Sequence, residues 1–224
     1  MKTTTKSLIR QIISQDLRSY AQSFSRNLLI FLILPVFLAI NGLERAALPE
    51  TTLLLFIGMT AIVLFVSGCM AGYELPLYVR RGATRKGYVK ARTLSGGIVA
   101  LGAPWIFLGL NLVFNLFVPT HIWNNHFFGL LIQTLSFLVL YFLGFFITSL
   151  WGRYGWLPGT ISIIVMLMIG NFATMNVLSF SGTGFPGISV NIGIGSFLLI
   201  SMLLIIGCFV GSYLLNKNRN IYVK

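Results

Sequence analysis

Carboxylates are nearly missing from this chain: Asp16, Glu44, Glu50 and Glu74 are the only four in 224 residues, and none falls inside an apolar run. Transport driven by protons or sodium ions needs an intramembrane carboxylate or histidine that changes charge during the cycle. The two histidines, His121 and His126, fall between apolar runs, so ion-driven transport is disfavoured. The same scarcity removes most membrane-enzyme chemistry: the apolar spans hold no carboxylate pair, no HExxH, and no GxSx nucleophile with a histidine at membrane depth. Phe180-Ser181-Gly182 reads as a turn. The two cysteines, Cys69 and Cys208, lie within apolar runs and read as packing residues, against a disulfide or a thiolate metal site. Gly82 to Gly87 spells GATRKG, the first six positions of a phosphate-binding loop. Tyr88 stands where lysine must be and no strand pattern precedes it, so this chain is not expected to bind ATP itself.

What is abundant is apolar surface. Hydrophobic residues make up 56% of the chain and the mean hydropathy is +0.88. Six segments approach or reach the roughly 20 helical residues that span a bilayer: Asn27 to Gly42, Thr52 to Gly72, Leu94 to Val118, Phe128 to Leu150, Leu157 to Phe180 and Ile192 to Leu215. The first reaches that length only if Phe24 to Arg26 are included, with the arginine snorkelling to the headgroups. No secretory signal is expected, because five basic residues precede the first run and no small-residue cleavage site follows it.

The 16 basic residues divide by side. Lys2, Lys6, Arg10, Arg18 and Arg26 precede the first span; Arg80, Arg81, Arg85, Lys86, Lys90 and Arg92 lie between the second and third. Arg153 follows the fourth, Lys217, Arg219 and Lys224 follow the sixth, and only Arg45 is left for the opposite face. The positive-inside rule then places both termini in the cytoplasm of a multi-pass plasma-membrane protein. This distribution accounts for the net charge of +12 through topology and membrane-lipid contacts, without nucleic acid as a partner. The fold class that follows is all-α and polytopic: one transmembrane domain over residues 1–224, with a cytoplasmic arm (1–26), a six-helix bundle (27–215) and a cytoplasmic tail (216–224).

Two cytoplasmic segments carry pattern. In the arm, Leu8, Ile9, Ile12, Ile13, Leu17, Tyr20 and Phe24 recur at helical spacing among Lys6, Arg10, Gln15, Asp16 and Arg18, which predicts a basic amphipathic helix lying in the membrane interface. Between spans two and three, Pro76 is placed to start a short transverse helix, Gly82 to cap it in the left-handed conformation, and Thr84 to N-cap a long helix from Arg85. Such an element, held under the membrane by two helical stalks, can transmit force. Gly68 with Gly72, and Gly207 with Gly211, predict close helix approach, and Pro35 and Pro104 predict bends. Uncharged polar residues inside the spans, among them Asn111, Asn115, Gln133 and Asn171, suit either interhelical hydrogen bonds or, with Trp105, Phe107 and Phe114, a weakly polar path for an amphipathic substrate.

Six spans, an amphipathic elbow, a charged loop after span two and a Gly/Pro-containing outer loop (SGTGFPGISVN) together resemble the membrane subunits of ABC-2-type ATP-driven exporters. LPLYVRRGATRKGYVKAR is similar to the R-G-x-[ST]-R-K stretch of small six-helix permeases of this kind in Gram-positive bacteria. The resemblance implies a homo- or heterodimer of membrane subunits, each pressing a coupling helix into a cytoplasmic ABC ATPase. By position, Glu74, Tyr78, Arg80, Arg81, Gly82, Thr84, Arg85 and Lys86 would form that coupling element. ATP and magnesium would sit on the partner, so this chain would hold no cofactor, metal or catalytic residue of its own. The expected function is a permease subunit exporting a peptide, drug or lipid-like molecule. The alternative is a passive channel, or a membrane sensor that binds a cytoplasmic partner through the same basic loop.

Overall fold

The structure is a computed structural model that describes residues 5–40, 48–115, 126–155, 160 and 194–217. The described residues form five α-helices: α1 (Thr5–Ile40), α2 (Leu48–Arg80), α3 (Arg85–Asn115), α4 (His126–Tyr154) and α5 (Ile194–Lys217). Stretches of α2, α3, α4 and α5 are long and apolar enough to cross a membrane, which makes this a membrane protein of the all-α class. Of the expected span 157–180 only residue 160 is described, and the loop SGTGFPGISVN lies outside the described residues.

α2 packs most extensively on α4, α4 on α5, and α1 lies across both α2 and α3. The α2–α4 contact depends on glycine. A Cβ on Gly68 would collide with the Tyr141 carbonyl, one on Gly72 with the Thr148 side chain, and one on Gly144 with the Phe65 carbonyl. Small residues on both partners therefore bring the backbones together, as small-xxx-small packing requires. The second expected pair divides: a Cβ on Gly211 would come within 2.6 Å of the Phe146 ring, whereas Gly207 faces open space.

Two expectations about the cytoplasmic segments are overturned. The arm and the first span are one uninterrupted helix with no elbow between them; residues 5–34 contain neither glycine nor proline to break it. Nor does the arm lie apart in the interface. Ile12 is buried with Leu75, Tyr78, Ala83, Tyr88 and Ala91, and Phe24 meets Phe56 at 5.3 Å and Phe107 at 6.4 Å between ring centroids. Of its apolar stripe, Ile12, Ile13, Tyr20 and Phe24 pack on protein.

The transverse helix is likewise absent, because α2 runs through Pro76 to Arg80. A proline in a helix interior costs about 3 kcal/mol. Burial of its neighbours Leu75 and Tyr78 against α1 and α3 offsets this, at about 1.5–3 kcal/mol for each large apolar side chain. What remains between the stalks is a four-residue turn, 81–84. Its caps are those the sequence predicts: Gly82 takes φ +92, and Thr84 Oγ1 accepts from the Gly87 amide at 3.1 Å, so that α3 starts at Arg85. α3 continues through Pro104. At the end of α4 the helix extends past Trp151 and Arg153 and stops where Gly155 adopts φ +93.

Candidate coupling turn and the buried charge cluster beneath it

Helix ends gather the basic residues at one end of the bundle. The turn and the helix ends on either side of it carry Arg80, Arg81, Lys86 and Lys90, all exposed. Arg85 donates from Nη1 to the Lys217 carbonyl at 3.1 Å, fixing the end of α5 beside the start of α3. Asn216 donates from Nδ2 to Ser149 Oγ at 2.8 Å, drawing in the end of α4 and with it the exposed Arg153. Arg10 lies half a turn before Ile12, which packs against residues flanking the turn.

The eight residues of the expected coupling element separate into two groups. Arg80, Arg81, Gly82, Thr84 and Lys86 are exposed and Arg85 is half-buried; Arg81 lies with its guanidinium 5.7 Å from the centroid of the Tyr78 ring. Glu74 and Tyr78 instead face inward. Tyr78 is buried and stacks at 5.2 Å on Tyr88 of α3, and its hydroxyl donates to Gln15 Oε1 of α1 at 3.4 Å.

Glu74 belongs to a feature the sequence does not announce. One carboxylate oxygen of Glu74 and one of Asp16 each accept from a different terminal nitrogen of Arg92. Three helices thus place two anions on one cation. Ser95 Oγ donates to the second oxygen of Asp16 at 2.7 Å, and Arg92 Nε donates to Tyr88 Oη at 3.0 Å. Tyr88 in turn donates to the Ala71 carbonyl at 2.7 Å, and Tyr141 of α4 donates to the carbonyl of Arg92 at 2.8 Å. The guanidinium also lies over the Tyr78 and Tyr88 rings, at 5.7 and 5.4 Å. Burial pushes the Asp16 carboxyl above its ordinary 3.8, against the smaller opposing pulls of Arg92 and the Ser95 hydroxyl. A desolvated ion pair of this kind needs its remaining hydrogen bonds made, and here the tyrosines and Ser95 make them.

Of the proposed substrate path, Gln133 is buried with neither amide atom hydrogen-bonded, as is the hydroxyl of Thr60 on α2. Interhelical hydrogen bonding, one of the two readings of that residue, is therefore not realised at Gln133 among the described residues. Trp105 is 65% exposed, while Phe107, two positions on, points to Phe137 of α4 with ring centroids 6.0 Å apart. Two residues on a helix face nearly opposite ways, so Trp105 and Gln133 do not share a face. The side chains of Asn111 and Asn115, and the whole of Asn171, lie outside the described residues.

The described residues hold no group of three or more metal-ligating side chains. A helix precedes GATRKG and α3 begins within it, at Arg85, so the strand that a phosphate-binding loop requires is not there. No family model, no curated protein and no solved structure matches this chain.

Proposed function

We propose that this chain is the membrane subunit of an ATP-driven exporter, taking its energy from a separate cytoplasmic ATPase that docks on the turn 81–84. The observation that carries this reading is the construction of the turn. A topology signal needs only positive charge. This turn also has a defined shape: a left-handed glycine and an N-capping threonine join two long helices and hold exposed arginine and lysine at their tip. Guanidinium groups fixed in this way suit a cleft lined by carboxylates, which they bind in forked geometry. The ATPase contributes nucleotide, magnesium and hydrolysis, and the membrane subunit contributes the path for an amphipathic cargo. The basic end faces the cytoplasm in this reading, and a second membrane subunit completes the transporter.

Co-purification of an ATPase with the tagged chain, followed by reconstitution in vesicles, tests it. ATP-dependent export that stops when the ATPase cannot hydrolyse is the expected result. Cargo movement by this chain alone under a pH gradient would refute it.

A further inference from the structure

The buried cluster lies just behind the turn, and Arg92 is where its bonds converge. Belonging to α3, Arg92 bonds Asp16 of α1 and Glu74 of α2 through its two terminal nitrogens and is held from α4 by Tyr141. It sits seven residues beyond Arg85, about 10 Å along α3. Between it and the turn the stacked rings of Tyr78 and Tyr88 link the last turn of α2 to the first turn of α3.

We propose that Arg92 is the positioning residue through which displacement of the turn is passed to α1. The proposal rests on the reading of the turn as a docking element and says where its movement goes. A second physical route exists, since Ile12 shares one buried apolar cluster with Tyr78 and with Ala83 of the turn. Apolar contacts slide with little directional cost, whereas a guanidinium forked between two carboxylates holds a fixed geometry. α1 therefore follows α2 and α3 through the charge cluster.

A double-variant cycle in the membrane subunit alone, in lipid nanodiscs, decides between the routes. Gly82→Val perturbs the turn, because valine cannot easily hold the left-handed conformation; Arg92→Gln opens the clasp. The readout is amide hydrogen exchange over residues 12–24. With Arg92 present, Gly82→Val should raise that exchange about tenfold, and in the Arg92→Gln background it should add less than about twofold, the non-additivity expected of coupled sites. Arg92→Lys, a charge without the fork, should fall between. If Arg92→Gln does not fold, Asp16→Asn takes its place in the cycle, since it removes only the α1 end of the clasp. Equal fold-changes in both backgrounds, or no change over residues 12–24 on perturbing the turn, would overturn the Arg92 route and leave the docking reading standing. A coupled cycle in a chain that binds no ATPase would do the reverse.

Discussion

At the scale of residues, some of the chain's scarcest side chains do its most specific work: two of its four carboxylates meet on one arginine. Removing the cation leaves the buried Asp16 carboxylate and the half-buried Glu74 carboxylate without their shared partner, so Arg92→Met should cost about 3–5 kcal/mol, whereas replacing Asp16, Glu74 and Arg92 together by leucine should be far milder. Thermal unfolding in detergent compares the two, and a triple variant less stable than Arg92→Met would contradict this account. Asp16 adds a pH dependence with a definite sign. Because burial raises its value on folding above 3.8, its contribution to stability is full below that value and is lost as pH rises through the folded value. The stability of the wild type relative to Asp16→Asn should therefore increase as a detergent sample is acidified from neutrality, and a decrease would reverse the sign. None of this convergence is legible in the sequence. Asp16 and Arg92 are 76 positions apart, and a hydropathy reading treats each as a solvated charge. The faint signal was Asp16 itself, an acid standing among apolar repeats of an otherwise basic arm.

At the scale of elements, local chemistry was legible and long-range packing was not. Gly82, Thr84 and the start of α3 follow from cap rules that involve only near neighbours, and the Gly68/Gly72 contact follows from residue size. The path of α2 through Pro76 and the union of the arm with the first span do not. Both depend on which neighbours bury Leu75, Tyr78, Ile12 and Phe24, and no local rule supplies a neighbour. The glycine seam makes the strongest prediction at this scale. Gly68→Leu must move α4 at its backbone, because the group a Cβ meets first is the Tyr141 carbonyl. We expect a loss of more than about 2 kcal/mol, in the range of overpacked cores. Gly207→Leu, which faces open space, should change stability by less than about 0.5 kcal/mol. Thermal unfolding of the pair in one detergent measures the contrast, and equal losses would mean that the close approach of α2 and α4 is not what holds them.

At the scale of the whole molecule, the question is whether the shaped basic end is more than an orientation signal. Four helix ends converge there, fastened by Arg85 to the Lys217 carbonyl and by Asn216 to Ser149. Large apolar side chains such as Trp105, Leu199, Leu203 and Ile206 stay exposed along α3 and α5, where lipid or a second subunit can cover them. Orientation is tested first. With Cys69 and Cys208 replaced, Thr84→Cys and Lys217→Cys should react with an impermeant thiol reagent only after lysis, and Asn124→Cys should react in intact cells; labelling of Thr84→Cys from outside would invert the molecule and end the docking reading. Function is tested by changes that keep charge and alter geometry. Arg85→Lys keeps the charge but loses the planar fork that spans to α5, and Thr84→Val removes a cap worth about 1 kcal/mol. Gly82→Val places a β-branched side chain at φ +92, a strain of about 1–2 kcal/mol. Membrane insertion depends on counted charge and should be unaffected in all three. ATPase association, or the cargo moved per ATP hydrolysed, should fall several-fold in Gly82→Val and less in Arg85→Lys, because the first distorts the whole tip and the second one contact. Undiminished coupling in all three, with the ATPase still bound, would reduce the turn to a topology signal. A channel or sensor would then be the better description.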